Sequence, residues 1–394
     1  MFRLLLPLVL VAATLSAVAA DTSRSLDMPT AESAAPLDRA TYDDFARTLA
    51  QRLNDGEQDA FAGLFDKQAF IGRALRGLPE SRDLEAVRTS LTQQLDRVGA
   101  ILLQRLNPDY EFRYLRSRQR DAHVILLYRV NLGDEGLNYL ELEVAPRDGA
   151  IRIIDWYDYA SAQNYSDSIR QALLTVLPLD RGLLDRLFDT NGVDEAAVSQ
   201  FVELARLQRE RRFDEWLAAY EKLPESIRSS RIMVVLRVAN ANSSGDEQAY
   251  REALDAAARY FGDDPRLALL LMDHYMYTEQ WDKAHTAVDN LAAYTGGDAA
   301  IDGLRANVYL LTGNDAEALH WAERTVEGDA TYEDGYWTRL EANVNLGHFE
   351  AAVNDLQILE HTFGYSFDAQ ALAEIEGYEA FGRSDAFRRW ARKN

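Results

Sequence analysis

The 394-residue chain contains no cysteine. That excludes disulfides, thiolate metal sites, a cysteine nucleophile and a cysteine-borne lipid, so the fold must rest on packing and hydrogen bonding. Basic residues are few beside acidic ones, 42 against 64, for a net charge of −22. A surface of that sign repels nucleic acid and anionic lipid and favours basic partners. Long apolar runs are also scarce. The stretch from Leu4 to Val18 is almost wholly apolar, but it is shorter than the roughly 20 residues a spanning helix needs. It follows Met1-Phe2-Arg3 and leads into the small-residue sites Ala17-Val18-Ala19 and Val18-Ala19-Ala20. This is the three-part order of a secretory signal peptide over residues 1–20. The sequence thus predicts an exported chain, periplasmic or secreted, without stable membrane insertion. Residues 21–40 are rich in Ser, Ala, Thr and Pro without an apolar period, which predicts a flexible linker.

Several catalytic signatures are missing as well. The chain has no GxSxG, GxxxxGK[ST] or GxGxxG, and its six histidines form neither HExxH nor a compact cluster with carboxylates. No catalytic residue, metal site or cofactor is assigned from the sequence.

What is present is a period. Residues at steps of 34 around Ala284 are Trp216, Tyr250, Ala284, Ala318 and Ala352. Five residues before each stand Arg211, Gly245, Glu279, Gly313 and Gly347, and three before each stand Phe213, Glu247, Trp281, Asp315 and Phe349. Four after each come Tyr220, Leu254, Val288, Ala322 and Leu356. A 34-residue period with helical apolar spacing and a glycine-centred break predicts a tandem array of helical hairpins. Glycine suits the left-handed residue that ends the first helix (helix A) of each hairpin, and alanine leaves room where the second (helix B) crosses it. Gly382 and Ala386 suggest a terminal half-repeat and cap.

The segments "LRANVYLLTGNDAEALHWAERTV", "YWTRLEANVNLGHFEAAVNDL" and "LLLMDHYMYTEQWDKAHTAV" resemble the tetratricopeptide repeat. The matching positions are Ala306, Tyr309, Gly313 and Ala318, then Tyr336, Gly347, Phe349 and Ala352, then Leu271, Tyr275, Trp281 and Ala284. The resemblance implies a helical solenoid over residues 195–394, about five repeats plus a C-terminal cap. It also implies that a peptide or protein segment docks along the groove lined by the A helices. Carried over unit by unit, the groove positions are Asp273, Asn307 and Glu341, with Tyr277, Leu311 and Asn345 one turn further and Leu269, Gly303 and Trp337 one turn earlier. The family's carboxylate-binding version has Lys, Arg and Asn at comparable sites. Here residues 265–366 hold 17 acidic residues against 5 basic ones, a net of −12, which favours a basic or extended partner.

Residues 41–160 follow another grammar. "YDDFARTLAQRL" and "DLEAVRTSLTQQLDRVGAILLQRL" have helical spacing. Four strands are expected at residues 112–118, 123–130, 137–144 and 151–157, joined by glycine-containing turns. The expected domain is α+β, with the antiparallel sheet covering the long helix. Its element order resembles the NTF2-like or cystatin-like cone. Residues 161–194, with "NYSDSIRQALLTVLP" and "LLDRLF", read as connecting helices. On the third strand Glu141 and Glu143 alternate with Leu140, Leu142 and Val144. Such alternation reads as a half-buried strand with its charged face in water, and Arg116 and Arg118 as cross-strand partners. The same carboxylates, or Asp155 with Tyr157, Tyr159 and His123, would instead serve as an acid/base set if the cone held a pocket.

The sequence therefore predicts a mainly α protein that acts as a non-enzymatic interaction scaffold, its acidic groove binding through Asp273, Tyr277, Asn307, Trp337, Glu341 and Asn345. The alternative is an enzyme or small-ligand cone with the array as a recruitment or oligomerisation module. A homo-oligomer whose groove is filled by its own kind stays open as a third arrangement.

Overall fold

The computed structural model describes residues 37–78, 82–104, 106, 110–133, 136–174, 182, 184–185 and 194–392. The signal-peptide stretch, most of the 21–40 linker and most of "LLDRLF" lie outside them. The chain opens as an α+β domain and continues as a helical array. It forms two compact units. The first runs to Gly262 and takes in Leu269–Leu271, and the second comprises Asp263–Ala268 and Met272 onward. The sequence grammar changes at residue 195, but the division between the units falls at 262, inside the 34-residue series.

The α+β part begins with α1 (Arg39–Asn54), whose first turn is capped by Asp38 accepting from the Thr41 amide at 2.8 Å. Then come α2 (Lys67–Ala74), α3 (Arg82–Gln94), a 3-10 turn (Leu95–Arg97) and α4 (Val98–Leu103). The long helix expected over residues 83–106 is thus broken in the middle. Just past the break, a Cβ on Gly99 would lie 2.8 Å from the Gln58 carbonyl oxygen. Only glycine allows this approach of backbone to backbone.

Five strands follow in sequential antiparallel order, β1 (Glu111–Arg120), β2 (His123–Asn131), β3 (Leu137–Arg147), β4 (Ala150–Asp158) and the two-residue β5 (Gln163–Asn164). The four expected strands are all present, and β5 is an addition. The β3–β4 turn is Asp148-Gly149, both with positive φ, as the right-handed twist of a two-residue hairpin demands. Leu64 and Asp66 clip onto β4 through Ile153, with N–O distances of 2.8 and 2.9 Å. Instead of covering the α3–α4 segment, the sheet packs chiefly on α1 along β1 and on α2 and α5 (Tyr165–Leu174) along β4. Leu126, Tyr128, Leu142, Val144 and Trp156 face this helical layer. Trp156 stacks on Tyr165 with ring centroids 4.7 Å apart.

Within the first unit, α6 (Glu195–Arg209) pairs with α7 (Phe213–Tyr220), a single turn α8 (Glu225–Arg228) follows, and α9 (Arg231–Ser244) pairs with α10 (Glu247–Phe261). The second unit holds a 3-10 turn (Pro265–Leu267) and most of α11 (Ala268–Tyr277), then α12 (Trp281–Thr295), α13 (Ala299–Leu311), α14 (Asp315–Gly328), α15 (Glu333–Asn345), α16 (Phe349–Phe363), and the short α17 (Ala369–Ala373), α18 (Glu379–Gly382) and α19 (Asp385–Ala391).

The period is written into the backbone. The B helices start at Phe213, Glu247, Trp281, Asp315 and Phe349, each 34 residues after the last. Before them, Arg211, Gly245, Glu279, Gly313 and Gly347 all adopt left-handed φ, from 55° to 76°. Four of these turns also share one hydrogen-bond pattern. The amides of Arg212, Gln280, Asn314 and His348 donate to the carbonyls of Leu207, Tyr275, Tyr309 and Asn343, five residues back, at 2.8–3.0 Å. This is the closing bond of a Schellman cap, which satisfies a carbonyl the helix end would leave open. Ala284, Ala318 and Ala352 are fully buried, as are Val288, Ala322 and Leu356 one turn later. Tyr250, at the corresponding position of α10, is only half-buried. Gly382 departs from the expected cap role. It has no left-handed φ, and its missing side chain instead lets it approach Ala373, whose Cβ would lie 2.8 Å from an added Cβ.

Candidate functional sites

The groove residues expected from the sequence lie on α11, α13 and α15, and all but Leu269 belong to the second unit. Helices α13 and α15 are joined side by side, where Thr338 Oγ1 donates to Asn307 Oδ1 at 2.7 Å. Between them α14 packs so closely that a Cβ on Gly335 would meet Thr325 Cγ2 at 2.7 Å. Asn345 donates through Nδ2 to Asp315 Oδ1 at 2.8 Å, so the end of α15 is tied to the start of α14. Glu341 reaches solvent one turn earlier. Among the described residues it has no hydrogen-bond or ion-pair partner. Its carboxyl is raised above the ordinary range, first by loss of solvent and then by the neighbouring Asp315 charge.

Trp337 sits at the end of this face in an aromatic group. Tyr365 and Phe367, from the segment after α16, approach it edge-on at 5.0 and 5.6 Å, and the Tyr365 hydroxyl donates to Glu333 Oε1 at 3.1 Å. Tyr277 and Leu311 are exposed, at 65% and 52%. Asp273, one turn before Tyr277, is half-buried, while Leu269 and Gly303 are buried. Sequence reasoning missed Thr338, Asp315, Tyr365 and Phe367. Asp315 was read only as a B-helix start, Thr338 has no equivalent at the 34-residue step, and Tyr365 and Phe367 lie outside the helices altogether.

The arginines of α13, α14 and α15 are committed elsewhere. Arg305 binds Asp289 at 2.5 Å and Asp302 at 3.1 Å, Arg324 reaches Asp302 at 3.3 Å, and Arg339 binds Asp355 at 2.6 Å. Arg305 and Arg324 also lie over the Trp321 ring at 4.2 and 4.8 Å. These contacts fasten helix to helix and leave the acidic excess uncompensated along Glu341 and Asp315.

The second candidate is the face of the sheet turned away from the α1–α5 layer. Here the structure overturns the expectation of a water-facing charged strand, since Glu141 is 1% exposed. Side chains from distant segments seal it. Arg118 pairs with Glu141 across the sheet, Arg120 reaches it at 3.3 Å and the Tyr159 hydroxyl donates to it at 2.9 Å. Glu143 takes both Arg73 Nη atoms, at 2.8 and 2.6 Å, and His123 Nδ1 at 2.6 Å. Burial pushes the Glu143 carboxyl up, but the Arg73 hydrogen bonds and the Arg73, His123 and Arg120 charges outweigh it, and the net shift is downward.

Asp155 accepts from the Ser166 hydroxyl at 2.5 Å and from the Trp156 and Ser166 amides. On the core side, Asp158 accepts from Asn138 at 3.2 Å and from the Ser161 amide at 3.1 Å. Burial raises each to about 6, the hydrogen bonds only partly offsetting it. Arg231 of α9 donates to the Tyr157 hydroxyl at 2.8 Å and to the Ala162 carbonyl at 3.4 Å. The two carboxylates of β3 therefore hold guanidinium, imidazole and phenol groups, the chemistry of a buried ion-pair network that fixes geometry.

Among the described residues no helix is long and apolar enough to cross a membrane, and no group of His, Asp and Glu side chains has the arrangement of a metal site. Comparison with protein-family models and with curated proteins finds no match for this chain.

Proposed function

We propose that this is an exported interaction protein whose second unit, a tetratricopeptide-like array, docks a basic, extended protein segment along the A-helix face. The observation that carries the reading is the uncompensated Glu341–Asp315 pair, with Tyr277 and Leu311 exposed on the preceding A helices and the arginines of the array engaged by other carboxylates. Carboxylates attract Lys or Arg, exposed aromatic and aliphatic side chains pack on the stem of such residues, and an extended chain can cross successive A helices. The cone reading draws less support, because Glu141 and Glu143 are already engaged by neighbouring cations and hydroxyls.

The test is binding of a synthetic peptide of alternating Lys and Leu, followed by fluorescence, to the wild-type chain and to a chain carrying Asp273→Lys and Glu341→Lys. The expected result is a loss of affinity of about tenfold or more, since two close charge contacts are each worth on the order of 1 kcal/mol. Equal binding by both proteins would remove the groove from consideration. Export is checked by the intact mass of the protein outside the cytoplasm, in which Met1–Leu15 should be missing.

A further inference from the structure

The fold separates charge along the second unit. Residues 265–366 carry a net −12, whereas residues 383–392 hold Arg383, Arg388, Arg389 and Arg392 against Asp385 alone. Helix α19 buries Ala386, Phe387 and Trp390 and turns its arginines outward. Arg389 is engaged by Glu350, and Arg388 lies 3.8 Å from Asp385 in its own first turn. Arg383 and Arg392 are exposed and have no ion pair among the described residues. The same cap exposes Ile375, at 45%. The cap thus presents basic side chains with an aliphatic one, and the A-helix face presents acidic side chains with Tyr277 and Leu311.

We infer that the A-helix face is occupied by the basic C-terminal cap of a second copy of this chain. The inference rests on the groove reading above and names its occupant. Within one chain the cap meets only the α15 end of the face, where Tyr378 lies close enough to feel the Glu341 charge; it does not reach Asp273. The cap is anchored on α16 and its neighbours through Phe381, Phe387 and Trp390. Asp273 lies two hairpins before α15, and helices pack 8–10 Å apart, which places it roughly 20 Å or more from the cap. The two surfaces differ, so the contact is head-to-tail. Each dimer keeps one open groove and one open cap, and association continues until a ring closes or a filament runs on. Attraction between opposite charges on exposed surfaces makes the process sensitive to salt.

The experiment is light scattering coupled to size exclusion on the full chain, at about 50 mM and about 0.5 M salt, between which the screening length falls from roughly 14 Å to roughly 4 Å. The expected result is a mass that rises with concentration beyond the dimer at low salt and collapses to the monomer at high salt. The pair Arg388→Glu with Arg392→Glu, and separately Asp273→Lys with Glu341→Lys, should each weaken association at least tenfold. An equimolar mixture of the two variants should associate again, because a reversed cap meets a reversed groove. A wild-type chain that stays monomeric at low salt overturns the inference, as does a mixture that fails to associate. If the chain is monomeric yet binds the Lys/Leu peptide, self-docking falls while the groove reading stands. If the peptide also fails to bind, both fall.

Discussion

The left-handed residue closing each A helix offers the cleanest perturbation. Gly245, Gly313 and Gly347 stand where glycine is favoured, but Arg211 and Glu279 hold the same conformation at φ 56° and 55°. A side chain in that region costs roughly 1–2 kcal/mol, while glycine gives back roughly 0.5–1 kcal/mol through its freer unfolded chain. The difference leaves about 0.5–1 kcal/mol. Glu279→Gly should therefore stabilise the second unit and Arg211→Gly the first, while Gly313→Ala and Gly347→Ala should destabilise the second by a similar amount. No atom lies within 4 Å of an added Cβ at Gly313 or Gly347, so the effect is backbone strain without a clash. With a urea dependence of about 2–3 kcal/mol/M, the midpoint moves by roughly 0.2–0.5 M. The measurement is urea unfolding followed by probes that separate the two units. The reasoning is refuted if Glu279→Gly destabilises and Gly347→Ala is neutral, for then the five turns do not share one conformation.

Size at the helix crossings should matter in the same unit. Ala318→Leu and Ala352→Leu insert a side chain where the structure has none to spare, and Gly335→Ala drives a methyl into Thr325. Each should cost about 1–3 kcal/mol in urea melts through overpacking. Asp155 and Asp158 give a pH dependence of known sign. Each is raised to about 6 when folded, so the folded state binds more protons than the unfolded one between pH 4 and 6. Their contribution is full below pH 4 and is lost as pH rises through 6, by an amount on the order of 3 kcal/mol each. Asp158→Asn should flatten the stability of the first unit across that window. An unchanged slope would mean Asp158 is ionised at its ordinary pKa.

Much of the architecture was legible because periodicity survives substitution. The 34-residue register located the left-handed turns at Arg211 and Glu279, although neither residue type announces one. The strands were readable from alternation and from turns such as Asp148-Gly149. What escaped was coverage. The Tyr139-Glu141-Glu143 pattern is the same whether its polar side meets water or meets Arg73, Arg118 and Arg120. Those partners lie up to 70 residues away. Helix α2 escaped because eight residues with Gly72 among them show little period, although Asp66 caps it by accepting from the Ala69 amide at 2.9 Å. At the groove, the recurring positions were readable, while the aromatic neighbours of Trp337 and the Asp315 partner of Asn345 come from segments outside the repeat of the A helices.

The bond from Arg231 to Tyr157 bears on how such a chain can be shuffled in evolution. A recombination event that cut at residue 195, where the helical repeats begin, would carry away the guanidinium that meets the last long strand of the sheet. Tyr157, buried against Tyr159 in an edge-on pair 5.3 Å apart, would lose that partner. The first two hairpins are therefore expected to be kept together with the sheet. Gain or loss of whole 34-residue hairpins is best tolerated after Gly262, so lineages of this protein should differ in the number of hairpins there and agree in those before it.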